Sequence, residues 1–294
     1  MTFSLACSNC LAGATEQELD ACKKALAAGD FSLAVQHAAA STFASNKNRE
    51  AYLCQFQAYA GLKDGVRAIE SLAAADNLSN SPMEHVVTLT LIGNQYLASR
   101  QFDKALENYR QSLTLSRENS SRNFQMINLN QIGEALEGKG DNQTALENYL
   151  VALKLAANEN ERADSSGRIA ATYSVIGEHD KAIEHQIKAM FLEERSGDFD
   201  HYANASLELG RIYTRAGQFA NAESTLTKAL ERIRKAQDPY WEAKGNYYLA
   251  LAKRGQGDVQ GASDLMQAAR QLAEKIGATD IVDLIVAASD SASK

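Results

Sequence analysis

The sequence predicts an all-α fold built from repeated helical hairpins, and three observations support this prediction. The 294 residues contain only two prolines, and Ala, Leu, Glu, Gln and Lys, which favour helix, are abundant. Between Leu89 and Leu115, apolar residues recur three and four positions apart, as they do on one face of a helix. The pentapeptide Ala-Leu-Glu-Asn-Tyr stands at 105–109 and again, forty residues later, at 145–149. Together these patterns indicate a helical hairpin that repeats along the chain.

The hairpin of residues 89–115 consists of two amphipathic helices separated by a break at 99–103. Its order of residue types resembles a tetratricopeptide repeat: a large apolar residue, Leu-Gly, Tyr, Ala, an aromatic residue and a small residue at fixed offsets. The resemblance implies a right-handed superhelical solenoid, with the first helix of each hairpin on the concave face. The residues that carry it are Leu89, Ile92, Gly93, Tyr96, Ala105, Tyr109 and Ser112.

An alanine near the start of each second helix marks the spacing of the repeats. The six intervals between seven such alanines are 34, 37, 40, 37, 40 and 40 residues. The increments over 34 are close to one and two helical turns of about 3.6 residues, so the longer helices keep their faces in register. We therefore expect about seven hairpins, most of them longer than the 34-residue type. The marker alanines are Ala34, Ala68, Ala105, Ala145, Ala182, Ala222 and Ala262.

Gly-Asp pairs predict the breaks between the two helices of several hairpins. Gly suits the left-handed position after a helix, and Asp accepts hydrogen bonds from the free amides of the next helix. Elsewhere Gly or Ala is expected where two helices approach closely, because a larger side chain would separate them. The breaks are predicted at Gly29-Asp30, Gly140-Asp141, Gly177 to Asp180 and Gly257-Asp258.

The repeat domain is expected to cover residues 15–278, followed by a capping helix and a frayed tail at 279–294. A stack of hairpins has an open end that needs such a cap. In the capping helix Ile281, Leu284 and Ile285 share one face.

Residues 1–14 are expected to be disordered or signal-like. Ala12-Gly13-Ala14 resembles the cleavage site of a signal peptide, but no basic residue precedes it, and Ser8-Asn9 interrupts the apolar run. We therefore expect a cytoplasmic protein. An exported or periplasmic location is the alternative, if this segment is the end of a signal peptide.

Charge and motifs argue against several classes of function. The net charge is −7, whereas nucleic-acid binding requires a basic face, and no apolar run of about 18 residues indicates a membrane span. The chain lacks the H-E-x-x-H and G-x-S-x-G motifs and a phosphate-binding glycine loop. The single C-x-x-C of Cys7 and Cys10 cannot complete a tetrahedral zinc site, and Cys22 and Cys54 are expected to pack as small hydrophobic residues. We expect no enzymatic activity, no cofactor and no metal.

The candidate binding residues are first-helix positions that face away from the second helix, because the resemblance implies that they line a concave groove. Amides such as Asn94 and Asn130 can hydrogen-bond the backbone of an extended peptide without reading its sequence. Arginine side chains in the C-terminal third can hold a carboxylate, because a guanidinium offers a planar fork. The predicted groove residues are Asn94, Asn130, Glu134, Arg211, Arg215, Tyr247 and Arg254; Thr90, Asp164, Gly167, Ala171, Asn204 and Leu207 lie on the same face.

The alternative interpretation of these groove residues is a solvated polar surface without a binding role. The predicted function is a non-catalytic scaffold or adaptor that binds a peptide or protein segment in the groove, because such arrays present extended concave surfaces. A sensor that responds to a peptide or small ligand and regulates a partner protein in trans is the alternative.

Overall fold

The computed structural model describes residues 3–45 and 47–292, and the side-chain surroundings of residues 15–45 and 47–288. Within these residues the chain forms fifteen α-helices and no strand, so the predicted all-α repeat fold is confirmed. Helices α1 to α14 make seven consecutive hairpins, numbered 1 to 7, and α15 follows them. The helices are α1 (Phe3–Ala27), α2 (Phe31–Ala44), α3 (Arg49–Gly61), α4 (Gly65–Asp76), α5 (Pro82–Ala98), α6 (Phe102–Glu118), α7 (Arg122–Gly138), α8 (Asn142–Leu155), α9 (Glu159–Val175), α10 (His179–Ser196), α11 (Phe199–Arg215), α12 (Phe219–Ala236), α13 (Pro239–Gly255), α14 (Val259–Ile276) and α15 (Thr279–Ala292).

The chain divides into two compact units, unit 1 at residues 1–148 and unit 2 at residues 149–294. Each unit is described by itself below. The right-handed superhelix and the single groove that the resemblance implies stay predictions.

The two ends of the array differ from their predicted boundaries. Helix α1 begins at Phe3, so residues 3–14 are helical where we expected a disordered or signal-like segment; an origin as a signal peptide stays a prediction. Helix α15 packs against α13 and α14 through the buried side chains of Ile281 and Ile285. Leu284, expected on the same buried face, is 40% exposed.

The marker alanines occupy one equivalent position throughout the array. Each is the fourth residue of its second helix, and each is 3% exposed or less. At this position the second helix lies so close to its neighbours that no larger side chain fits. The residue before several of these helices accepts a hydrogen bond from the amide nitrogen three positions later; these residues are Asp30, Asp64, Asp141 and Asp258.

Glycines in the left-handed region precede most of these second helices, as the Gly-Asp pattern predicts. Gly177 has a φ of 85°, but helix α10 begins at His179 and Glu178 occupies its N-cap without a side-chain hydrogen bond. Asp180 therefore lies in the first turn, where its charge favours the helix N-terminus, and is not the cap that we predicted. In hairpins 2 and 3, Lys63 and Arg100 take the positive φ that glycine adopts elsewhere.

Glycines within the first helices allow two kinds of close contact. Inside a hairpin, a Cβ atom at Gly93 would overlap the ring of Tyr109, and one at Gly210 would overlap Leu226. Between successive hairpins, the phenylalanine that begins a second helix lies against the last glycine of the next first helix. This second contact, which the repeat pattern does not predict, joins Phe31 to Gly61, Phe102 to Gly138 and Phe219 to Gly255.

A disulfide bond joins Cys22 in α1 to Cys54 in α3. The sequence predicted two independent small hydrophobic residues, and both cysteines are indeed buried among alanines such as Ala34 and Ala58. The bond links the first helices of hairpins 1 and 2 across 32 residues of sequence. Closing a loop of this length stabilises a fold by about 2–4 kcal/mol.

Two glycine substitutions in neighbouring helices should have opposite effects on stability. Gly210→Ala in α11 places a methyl group against Leu226, and we expect a loss of about 1–3 kcal/mol from overpacking. Gly167→Ala in α9 meets no atom within 4 Å of its Cβ, so the higher helix propensity of alanine should add about 0.5–1 kcal/mol. Urea denaturation followed by circular dichroism measures both. Equal shifts for the two variants would contradict the packing described here.

Candidate functional site

An open cavity of about 490 Å³ lies in unit 2, among helices α9, α10 and α11. Three small residues spaced four apart, Ala163, Gly167 and Ala171, form the wall that α9 contributes, and they share one helical face. A Cβ atom at Gly167 would meet nothing within 4 Å. The polar residues around the cavity are Asn160, Asp164 and Arg168 from α9, Glu193 from α10, and His201, Asn204 and Glu208 from α11.

The position of Gly167 in the repeat explains why the cavity exists. Gly167 lies fifteen residues before the marker Ala182, and the residues at the same offset in hairpins 3, 4, 6 and 7 are larger and 0–7% exposed. Leu207 is one of them, and it reaches the next first helix beside Gly245. Hairpin 5 therefore lacks a side chain that would otherwise fill the space between two first helices. The equivalents in hairpins 3, 4, 6 and 7 are Thr90, Asn130, Leu207 and Tyr247.

Buried residues of α10 and α11 form the floor of the cavity. The side-chain nitrogen Nε2 of Gln186 donates a hydrogen bond of 2.9 Å to the carbonyl oxygen of Ala205, which ties the two helices together. Ala189 and Ile212 complete the floor and are 2% and 1% exposed. The cavity thus has a rigid apolar base below its polar wall.

Two of the three carboxylates in this wall are already engaged. Arg168 donates a 3.1 Å hydrogen bond to Asp164. Glu208 accepts hydrogen bonds from Arg211 at 2.6 Å and from the hydroxyl of Tyr248 at 3.0 Å. These interactions hold both carboxylates in place and neutralise much of their charge.

Glu193 is the third carboxylate, and it differs from the other two. The residue is 9% exposed, and its Oε2 atom has no hydrogen-bond partner among the described residues. The nearest cationic group is the exposed ring of His201, whose Nδ1 lies 3.5 Å from Oε2. Burial raises the pKa of Glu193, and the charges of Asp198 and Asp164 raise it further, whereas His201 and a hydrogen bond with Ser196 lower it.

Two of the three predicted groove residues of unit 1 line a second open cavity, of about 440 Å³. Asn94 and Glu134 line this cavity, and the Oδ1 atom of Asn94 accepts a 2.8 Å hydrogen bond from the hydroxyl of Tyr109. Asn130 is only 6% exposed, so it is less accessible than we predicted. Burial raises the pKa of Tyr109, and the nearby charge of Glu134 raises it further.

The four predicted groove residues of unit 2 do not surround one cavity. Arg211 is paired with Glu208, Arg215 is exposed, and Arg254 lines a separate cavity beside α14 and α15. Tyr247 is buried in the core, which corrects its predicted place on an open groove. Burial raises its pKa, and the positive charges of Arg254 and Arg211 lower it. Tyr247 is covered because α13 packs against α11, α12 and α14.

The sequence predicted several residues of the α9–α11 cavity but not Glu193, whose Oε2 atom has no hydrogen-bond partner among the described residues. Asp164, Gly167, Ala171 and Asn204 line the cavity, in agreement with their expected helical face. Thr90 and Leu207, expected on the same face, are buried instead. Glu193 was missed because it lies on a second helix, which the resemblance assigns to the outside; no local pattern in the sequence marks it.

No group of three or more His, Cys, Asp or Glu side chains in the described part of the chain is arranged to hold a metal ion. Among the helices of these residues, none is both long and apolar enough to cross a membrane.

Comparison with known proteins agrees with this architecture. Residues 161–235, which include α10, α11 and most of α9 and α12, match the family model described as tetratricopeptide repeat. Residues 161–235 therefore form tetratricopeptide repeats. The chain's hairpins of 37 and 40 residues are longer than the 34-residue repeat of the family.

Known relatives of this protein match it over part of their length. Photosystem I assembly protein Ycf3 of Synechococcus sp. (strain CC9605) is 32% identical over 111 residues, which are 38% of this chain and 61% of that protein. The chain spans between 21% and 61% of the length of the curated relatives that it matches.

Two solved structures share the fold of this protein. A signal transduction ATPase with a tetratricopeptide repeat sensor, from Pyrococcus horikoshii, has a TM-score of 0.71 at 16% identity, over 91% of this chain and 44% of that one. The apo form of RapI has a TM-score of 0.66 at 12% identity, over 90% of this chain and 98% of that one. At these identities the likeness concerns the fold alone.

The raised pKa of Glu193 predicts how the stability of this protein changes with pH. As the pH rises above the ordinary glutamate value of 4.5, the unfolded chain loses the proton of Glu193 before the folded chain does, which lowers the free energy of unfolding. Gln does not ionise, so Glu193→Gln should gain stability relative to the wild type between about pH 4 and about pH 7. Urea denaturation at the two pH values measures this difference.

Glu184→Gln is the matched control, on the same helix. A hydrogen bond and ion pair with Lys188 lower the pKa of Glu184, so this variant should lose stability relative to the wild type over the same pH range. If the wild type and Glu193→Gln show the same pH profile, Glu193 titrates normally and the prediction is wrong.

Proposed function

We propose that this protein is a non-catalytic scaffold that binds an extended peptide or protein segment against its first helices. The observation that carries the proposal is the open cavity between α9 and α11, which a glycine leaves unfilled where other hairpins place a larger side chain. Repeat arrays of this kind present extended surfaces to their partners.

The composition of the cavity wall supports a polypeptide as the bound molecule. Asn160 and Asn204 are exposed amides on the cavity wall. An amide can both donate to and accept from a peptide backbone, although the oxygen of Asn204 already accepts a 3.2 Å hydrogen bond from Lys244. Between them, the small side chains of α9 allow a backbone to approach the helix closely. The arrangement suits an extended segment that is held by its main chain and anchored by one side chain in the cavity.

The engaged charges support a binding role rather than catalysis. Asp164 and Glu208 are held by Arg168 and Arg211, which fixes a recognition surface. The net charge of −7 favours a protein partner over nucleic acid. The related Ycf3 is described as an assembly protein, which is in line with an adaptor role for this chain.

Peptide selection on the intact protein tests the proposal. The immobilised full chain should enrich a defined set of sequences from a random heptapeptide display library. Gly167→Leu, which gives hairpin 5 the residue of hairpin 6 at this offset, should fill the cavity and weaken binding at least about tenfold. The variant should stay folded, because leucine favours helix more than glycine does.

Lys188→Ala, at an exposed position of α10 that does not line the cavity, is the control and should bind like the wild type. Fluorescence anisotropy with the selected peptides provides the affinities. Equal binding by the wild type and Gly167→Leu would remove the α9–α11 cavity from the proposed function.

The Cys22–Cys54 disulfide supports the exported or periplasmic location over the cytoplasm, because disulfides persist in oxidising compartments and are rare in cytosolic proteins. If the protein is exported, alkylation of thiols in intact cells should leave Cys22 and Cys54 unlabelled until a reductant is added. Mass spectrometry of the tryptic peptides measures the labelling. Labelling of both cysteines without reductant would favour the cytoplasm.

A further inference from the structure

We propose that the α9–α11 cavity receives a lysine or arginine side chain of the bound segment, and that the carboxylate of Glu193 pairs with its charge. This inference rests on the proposed function and adds a partner chemistry to it. The bound segment would therefore carry a basic residue at the position that enters unit 2 between α9 and α11.

The carboxylate of Glu193 has hydrogen-bonding capacity at Oε2 that the described residues leave unused. Glu193 lines an open cavity, and its Oε2 atom is buried and accepts no hydrogen bond from the described residues. Removing a carboxylate from water without a donor costs free energy, and a charge-assisted hydrogen bond recovers it. An ammonium or guanidinium group inside the cavity would supply that donor.

His201 does not supply the hydrogen-bond donor that the Oε2 atom of Glu193 lacks. Its Nδ1 lies 3.5 Å from Oε2 of Glu193 and 3.9 Å from Oδ2 of Asp198, and neither contact is a hydrogen bond. The ring is 62% exposed at the cavity edge. The imidazole therefore lies close to Glu193 without donating a hydrogen bond to its Oε2 atom.

The charges around the cavity also support a basic side chain as its occupant. Three carboxylates line it, and among the described lining residues Arg168 is the only lysine or arginine; it is paired with Asp164, while Arg211 and Lys244 lie beside the lining residues Glu208 and Asn204. Glu208 is compensated by Arg211, so Glu193 is the one of the three carboxylates that has no lysine or arginine partner among the described residues, only the imidazole of His201 at 3.5 Å. A carboxylate or phosphate of the partner would be repelled here, whereas a basic side chain would be attracted.

The shape of the cavity suits the long side chain of a lysine or arginine. The aliphatic stem of a lysine or arginine packs well on apolar surface while its charged end reaches a polar group. Ala163, Gly167 and Ala171 give the stem an apolar wall, and Ala189 and Ile212 give it an apolar floor. Glu193, from the last turn of α10, lies on the same cavity.

Peptide selection on three proteins tests this inference: the full-length wild type, Glu193→Gln, and Glu184→Gln. The control residue Glu184 is an exposed glutamate on the same helix, outside the cavity. The wild type and the control should enrich heptapeptides with Lys or Arg at one fixed position, at least about tenfold above the library frequency. Glu193→Gln should lose this preference.

A double-mutant cycle then measures the pairing directly. The most enriched peptide and its analogue with norleucine at the basic position are synthesised, and fluorescence anisotropy gives their affinities. For the wild type the analogue should bind about tenfold more weakly, whereas for Glu193→Gln the two peptides should bind equally. Glu193→Asp, which retains the charge, should keep part of the preference for the basic peptide.

Each outcome decides between the two proposals. Enriched peptides without a basic residue, or a preference for basic residues that Glu193→Gln leaves unchanged, overturn the role of Glu193 and leave the proposed function intact. A wild type that enriches no peptide overturns the proposed function and this inference with it. If Glu193→Gln shows altered circular dichroism, Gly167→Leu replaces it, and the inference then fails if that variant retains the basic preference.

Discussion

The close approach of neighbouring helices at alanine and glycine is the interaction on which the rest of the structure depends. Seven alanines hold the same place in successive second helices and are almost inaccessible to water. These small residues contribute little contact of their own. Stability comes from large side chains that lie over small residues of a neighbouring helix. Examples are Tyr109 over Gly93 and Leu226 over Gly210. The repeated small residue sets the spacing of the helices, and its large partner fills the space that this spacing leaves.

The hairpin array was predictable because its signal is local and repeated. Each alanine marker lies within one hairpin, so its spacing reveals the array without any knowledge of distant contacts. The contacts that join one hairpin to the next were harder to predict. Phe219 lies against Gly255, and Cys22 is bonded to Cys54, but each residue of these pairs has other possible neighbours in the sequence. Only the way in which the hairpins stack determines which of these neighbours each residue contacts.

The candidate site divides in the same way. Asp164 and Asn204 were found because the helical period fixes the face of a first helix on which they lie. Tyr247 has the same offset from its marker alanine as Gly167, and the period alone cannot distinguish a buried tyrosine from an open glycine. Glu193 could not be found in this way, because its environment is created by three helices together.

A glycine in this fold therefore has two opposite effects, and its surroundings decide which one occurs. Gly210 lies under Leu226 and makes a tight contact, whereas Gly167 has no side chain over it and leaves an opening. A gap between packed helices costs dispersion energy, and a carboxylate left there without a donor costs more. Hairpin 5 has the gap and the carboxylate without a donor at one place. In hairpin 6, a leucine at the equivalent position fills the gap. One basic side chain of the proposed partner would relieve both unfavourable features together, and this coincidence is the reason why we propose the α9–α11 cavity as a binding site.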